Sequence, residues 1–438
     1  MSLIPFGFWA ASGAGGVQYW LSTFGGSQID EGYGVVSDNN HVYFIGYSES
    51  SGAGSYDVLL VKSDKLGIIQ WQRTLGTAGA ELGTSVTLDS SGNVYLSGTT
   101  PVGGTSYFLI AKYNSSGTIQ WQRTLGATDG NESVNSIALD STDAVYVCGA
   151  SNSPGEGSND VILAKYDSAG TIQWQRRLGG SNAEIAQSLA IDSSDNVYFV
   201  GDTRSEGEGG QDLLIVKYNS SGTLQWQRTL GSAAGESGYG LVLDSSNNAY
   251  VCGRAYVAAS DSNEYLIAKY NSSGTLQWQR TLGGSAQNLA YSISVDSNNN
   301  PYVFGYTTAN GNDFLIAKYN SAGTIQWQRT LGGNLREEGY SVNIDSSDSI
   351  FLLGTTTSTG EGNGDFLAAH LPNDGSLTGT YVLDGVNMVY QASTLTSSTS
   401  SYTSSTSTLT ATTASLTSAT STLTSSTSTL TSHLTLIP

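Results

Sequence analysis

The sequence is poor in the side chains that do chemistry. It holds three histidines, His41, His370 and His433, and two cysteines, Cys148 and Cys252, in 438 residues. The histidines stand in unrelated surroundings, and no nucleophile-base-acid set, metal-ligand spacing or phosphate loop forms around them. The cysteines share a Val-Cys-Gly slot two repeats apart, so buried free thiols are expected rather than a disulfide. Cations are scarce: 17 Lys and Arg face 36 Asp and Glu, a net charge of -19. Twelve of the cations recur at fixed positions, as Lys62, Lys112, Lys165, Lys217, Lys269 and Lys318 and as Arg73, Arg123, Arg176, Arg228, Arg280 and Arg329. Few remain for a surface patch, which argues against nucleic acid or anionic lipid as a partner. Long apolar runs are missing too. The stretch Met1 to Trp9 is apolar but lacks a basic flank and is too short to span a bilayer, so neither a Sec-type export signal nor membrane insertion is expected.

What the chain has in quantity is repetition. Gly-Thr-Ile-Gln-Trp-Gln-Arg-Thr-Leu-Gly, at Gly117 to Gly126, returns around Trp71, Trp121, Trp174, Trp226, Trp278 and Trp327, with a looser copy at Trp20. Successive intervals from Trp20 are 51, 50, 53, 52, 52 and 49 residues. Within a unit, Thr84 to Leu88 alternates as a strand does, Asp89 to Gly92 is a turn, and Asn93 to Gly98 is a second strand. After a variable loop, Tyr107 to Tyr113 is a third strand, Asn114 to Gly117 a turn, and Thr118 to Leu125 a fourth. Four short antiparallel strands repeated at this period describe the blade of a β-propeller. The tryptophan, on the fourth strand, is expected to cover the edge between blades.

Counting gives the blade number. Second-strand markers stand at Tyr43, Tyr95, Tyr146, Tyr198, Tyr250, Tyr302 and Phe351, so three strands recur seven times. The fourth occurs seven times only if the Trp20 strand pairs with the last triplet, near Leu367 to His370. The expected fold is therefore an all-β, seven-bladed propeller over 17–371, closed by its N-terminal strand and so without free edges. Residues 1–16 form an arm. Residues 372–393 are a linker containing a degenerate repeat, with Gly379 where tryptophan should stand; it either competes for the closing position or leads out of the ring.

From 394 to 438 the composition changes to Ser and Thr. Leu395, Tyr402, Leu409, Leu416, Leu423 and Leu430 are spaced by seven, with Thr399, Thr406, Thr413, Thr420 and Thr427 four residues further on. An odd period puts successive leucines on opposite faces of a strand but on one stripe of a helix. The spacing predicts a helical stalk. Ser and Thr each cost about 0.5 kcal/mol relative to Ala in a helix, or roughly 15–20 kcal/mol over the tail. The stalk therefore needs self-association along the leucine seam, expected as a trimer, or packing on another protein.

Two acidic series recur. Asp89, Asp140, Asp192, Asp244, Asp296 and Asp345 open the first turn of their blades and are expected to accept backbone amides. Glu31, Glu81, Glu132, Glu184, Glu236 and Glu337 fall ten or eleven residues after each tryptophan, in the connection from an outer strand to the next inner one. They read either as structural acceptors or as an acidic rim that binds sugar hydroxyls or a cation such as calcium; no other cofactor is expected. The same face receives the loops between second and third strands, including Ser151 to Asn159, Asp202 to Gln211, Arg254 to Glu264 and Thr355 to Gly364. Tyr33, Tyr239, Tyr291 and Tyr340, near the rim, offer either sugar-stacking faces or strand packing.

The blade segments Asp89 to Tyr95 and Asp313 to Tyr319 resemble the bacterial β-propeller repeats of secreted and surface proteins, over about 17 to 380. The ends, Ile4-Pro5-Phe6-Gly7-Phe8-Trp9-Ala10-Ala11-Ser12-Gly13 and the heptads after Leu371 to Ser376, resemble virion or tail-fibre proteins of marine bacteriophages. That resemblance implies a non-enzymatic, particle-borne protein, on a virion or extracellular surface, that meets other virion or surface proteins through its ends and presents its propeller to a host surface or glycan. A bacterial cell-surface or filament component is the alternative, and a carbohydrate-active enzyme working through rim carboxylates a third reading.

Overall fold

The computed structural model describes residues 17–153, 158–309, 311–413, 416–421, 423–428 and 430–437. The arm over 1–16 and Glu156 of the third blade's variable loop lie outside them. The described chain folds as seven antiparallel sheets in a ring. In the first blade the strands are Asp30–Ser37 at the axis, His41–Ser48, Asp57–Asp64 and Ile69–Gly76. The seventh blade takes its fourth strand from the N-terminal side: Tyr19–Gly25 pairs with Asp365–Leu371, Trp20 opposite His370 and Phe24 opposite Phe366. The closure expected from the repeat count is the one observed. Val, Leu, Ile and Tyr of the second and third strands fill one cluster per junction between blades, as with Tyr43, Ile45, Leu60, Leu96 and Leu109, all at most 1% exposed.

The recurring motif works between blades. Trp121 donates Nε1–H to the Ser168 carbonyl of the next blade (3.1 Å), and Arg123 donates Nε–H to the Gly170 carbonyl (2.7 Å). Gly170 sits at φ +78° under the indole, where a Cβ would come within 2.9 Å of Trp121 Cδ2, so only glycine fits. The turn aspartates accept backbone amides, as expected from the sequence: Asp140 accepts the Thr142 and Ala144 amides and pairs with Lys165 at 3.0 Å.

The tail is where structure and expectation part. Among the described residues it contains no helix. Gly379–Leu383 and Val386–Ala392 form a hairpin whose second strand extends blade six, pairing with Ile325–Gly332. The degenerate repeat is therefore an exit from the ring. Thr396–Thr399, Thr403–Thr406, Thr410–Thr413, Thr417–Thr420 and Thr424–Thr427 then become the outermost strands of blades five, four, three, two and one. Thr431–Ile437 finishes on Tyr19–Gly25 in blade seven. The tail is a belt that runs backwards around the whole ring.

The heptad is the blade spacing. Each seven-residue unit contributes a four-residue strand and a three-residue crossing, and Leu395, Tyr402, Leu409, Leu416, Leu423 and Leu430 each fall just before a strand, where strand alternation does not apply. An odd period is thereby reconciled with strands. The second glutamine of each Gln-Trp-Gln-Arg holds the belt: Gln227 donates to the Leu409 carbonyl (3.1 Å), Gln122 to that of Leu423 (2.8 Å) and Gln72 to that of Leu430 (3.0 Å). Leu409 and Leu416 are each 5% exposed in clusters of the ring, and Leu395, Tyr402, Leu423 and Leu430 pack against others. The stripe expected to form an oligomerisation seam is covered by its own propeller.

Candidate functional site

Each innermost strand carries a β-bulge at the same place. Register shifts between Gly32 and Gly34, Gly83 and Ser85, Val134 and Ser136, Ala186 and Ser188, Gly238 and Gly240, Ala290 and Ser292, and Gly339 and Ser341. The residue left without a cross-strand partner is turned toward the axis. These seven residues, Tyr33, Thr84, Asn135, Gln187, Tyr239, Tyr291 and Tyr340, line an axial cavity of about 140 Å³.

The four tyrosines come from adjacent blades five, six, seven and one, so they form a continuous crescent. Ring centroids lie 5.2 Å apart for Tyr239 and Tyr291, 5.2 Å for Tyr291 and Tyr340, and 4.9 Å for Tyr340 and Tyr33. Tyr306 extends it at 6.0 Å from Tyr291, and Tyr47 at 5.9 Å from Tyr33. Thr84, Asn135 and Gln187 make the opposite wall polar. Repeat alignment at the bulge, rather than at the tryptophan, is the sequence signal that would have found these three.

Hydroxyls at one end of the crescent are fixed by carboxylates. Tyr33 donates to Glu31 Oε2 at 2.7 Å and Tyr340 to Glu338 Oε2 at 2.6 Å. Arg336 pairs with Glu338, and Asn312 donates to its other oxygen at 3.1 Å. Burial raises the Glu338 carboxyl, but the hydrogen bonds from Arg336 and Tyr340 outweigh it and hold it below the usual range. Burial, then the adjacent carboxylate, drives the Tyr33 and Tyr340 phenols far above the ordinary tyrosine value. They stay protonated and donate to these carboxylates.

The glutamates expected to form an acidic rim divide into two kinds. Glu31 is half-buried and accepts from Tyr33, which lines the cavity. Glu81, Glu132, Glu184, Glu236 and Glu337 are one residue out of phase with it and align with Asp30 and Asn288; all five are at most 1% exposed. Each clamps the connection entering its blade. Glu184 accepts the Gly180 amide (2.7 Å) and the Thr203 hydroxyl (2.7 Å), and Glu337 the Gly333 amide (2.7 Å) and the Thr356 hydroxyl (2.8 Å). These five carboxylates serve the fold, and the structural reading of them replaces the rim. Among the described residues no group of three or more His, Cys, Asp and Glu is placed to hold a metal ion. The variable loops do share the cavity's face: Tyr56 bridges Ala80 and Asn159 bridges Ala183.

Comparison with known proteins places the ring in a family. A family model described as outer membrane protein assembly factor BamB matches residues 60–315. An uncharacterised WD repeat-containing protein of Acanthamoeba polyphaga mimivirus is 24% identical over 159 residues, 36% of this chain and 9% of that one. The regulatory protein FlaEY of Caulobacter vibrioides is 24% identical over 220 residues, 40% of this chain and 23% of that one. The chain thus spans less than a quarter of the length of these relatives. Among solved structures, a puromycin hydrolase is similar with a TM-score of 0.48 at 10% identity, covering 81% of this chain and 56% of that one.

Proposed function

The chain belongs to this BamB-type family of β-propeller repeats, and on that premise we propose that it is a non-catalytic recognition module whose axial crescent binds a glycan. The observation that carries the reading is the run of four tyrosines, Tyr239, Tyr291, Tyr340 and Tyr33, set edge by edge along one wall of the cavity. Aromatic faces cover the apolar faces of sugar rings, and the facing Thr84, Asn135 and Gln187 supply donors and acceptors for hydroxyls. The non-catalytic part is supported by phenols held protonated and by a Glu338 carboxylate already paired with Arg336.

The setting proposed is a virion or another particle surface, where the propeller meets a host. What supports it is the resemblance of the two chain ends to phage virion proteins; the first of those ends lies outside the described residues. A bacterial surface or filament protein is the second setting, and the genes flanking this one separate the two, since portal or tail genes are expected only in the first.

Glycan-array screening followed by titration tests the binding claim. Tyr291→Ala and Tyr340→Ala should each weaken binding by about ten-fold, the loss typical of truncating a central aromatic contact, with the melting curve little changed. Binding that survives both substitutions together sinks the crescent as the site.

A further inference from the structure

Five of the 17 cations lie outside the two repeated series. Lys65 pairs with Asp345, Arg177 with Asp160 and Arg336 with Glu338. The other two, Arg204 and Arg254, make no ion pair among the described residues. Both line one pocket of about 350 Å³ between blades four and five, with Gln211, Tyr256 and Asn263. Their polar contacts are long and neutral: Arg204 Nη2 to Gln211 Oε1 at 3.5 Å, and Arg254 Nε to Ser237 Oγ at 3.4 Å. In a chain of net charge -19 the six repeated arginines also lack carboxylates, but each donates Nε–H to a glycine carbonyl at 2.7–3.0 Å; Arg204 and Arg254 have no such short partner.

One buried acid acts on both arginines without an ion pair to either. Asp202 is 4% exposed, and burial pushes its carboxyl up to about 6, against the pull of Gln211, Arg204 and Arg254. The pocket also joins the crescent. Ser237, which accepts from Arg254 and from Gln211 Nε2 (2.9 Å), lies two residues before Tyr239 on one strand, and Tyr239 begins the aromatic run.

We propose that the Arg204–Arg254 pocket is an oxyanion subsite of the crescent, so that the ligand is an acidic glycan whose carboxylate or sulfate ester is held by the two guanidinium groups while its neighbouring rings stack on Tyr239 and Tyr291. The planar fork of arginine matches both oxyanions through paired hydrogen bonds, and the surrounding negative charge rejects acidic chains that do not place a group there. This inference rests on the glycan reading of the crescent.

The test is titration of the full chain with oligogalacturonate and a carrageenan oligosaccharide, each against its uncharged counterpart, methyl-esterified or desulfated. At least one acidic glycan should bind about ten-fold or more tightly than its counterpart, with affinity falling as salt rises. Arg204→Gln with Arg254→Gln should erase that preference, and Arg204→Lys with Arg254→Lys should keep part of it, while melting curves confirm folding. Whichever acid is preferred identifies the oxyanion. Equal binding of charged and neutral forms, or a preference untouched in the glutamine variant, overturns the subsite; if Tyr291→Ala still weakens that binding, the crescent stands without it. Failure of every glycan to bind overturns both.

Discussion

Buried carboxylates at blade junctions give single residues a measurable pH signature. Asp365 is pushed up to about 7, chiefly by burial, against the Gly362 amide and with the Asp30 carboxylate adding to the rise. Asp313 is raised to about 6 by burial and then by Glu337. A carboxyl whose folded pKa lies above its unfolded value of about 3.9 binds more protons in the folded state. The stability it contributes is complete below pH 4 and is lost as pH rises through 6 to 7. His370 opposes this, since burial lowers it to about 4, so the signature of Asp365 is read as a difference between proteins. Asp365→Asn should melt above the wild type at pH 8, and the gap should close by about pH 5. A gap that does not vary with pH would count against a raised Asp365. The turn aspartates work the other way: burial raises Asp89, but hydrogen bonds from Asn93 and Ser91 and the charge of Lys112 hold it below the ordinary range.

At the scale of elements, the belt strands are held by side chains that the motif already carries. Leu409 is 5% exposed among Leu163, Leu178 and Leu189 of the ring, so Leu409→Ala should cost about 2–3 kcal/mol, read as a shift in denaturant midpoint. A change below about 0.5 kcal/mol would mean that the belt is only draped on the surface. The blade strands were legible because their period-2 alternation, Asp turns and tryptophan interval each arise locally. The belt was not, because its strands from Thr396–Thr399 to Thr424–Thr427 are four residues each and its period is set by the distance between blades. Nothing within Thr396 to Thr427 encodes that distance; it is a property of the ring beneath. The site was legible in part for a similar reason. Tyr33, Tyr239, Tyr291 and Tyr340 repeat in register, whereas Glu31 sits one residue away from the slot of Glu81, a shift that spacing from the tryptophan does not resolve and that decides which carboxylate is buried. Arg204 and Arg254 repeat nowhere, and only the fold brings the two to one pocket.

For the whole molecule, the belt changes how the ring is closed. Each blade is tied to its neighbours through the connection between outer and inner strands, and again by a chain running in the opposite sense from blade six round to blade seven. A heptad at about 3.3 Å per residue reaches at most about 23 Å, which bounds how far the tail can leave one blade while bound to the next. Both ends of the described chain meet in blade seven, where Tyr19–Gly25 lies between Asp365–Leu371 and Thr431–Ile437. Tyr19–Gly25 and Thr431–Ile437 both connect along the chain to blade one, so the pairing of Tyr19–Gly25 with Asp365–Leu371 is the strand interface that closes the ring, and the last belt strand covers its outer side. Removal of residues 393–438 should leave the four-stranded blades closed by Tyr19–Gly25 but expose the outer edges that the belt covers, and open edges template association between chains. The truncated protein is expected to form concentration-dependent oligomers in light scattering and to unfold about ten-fold faster or more in denaturant, since each lost belt contact is one that unfolding no longer has to break. The intact chain, whose outer edges in blades one to five are only four-residue strands, should run as a monomer, since short edges template poorly. A truncated chain that stays monomeric and unfolds at the full-length rate would show that the seven blades hold the ring without the belt.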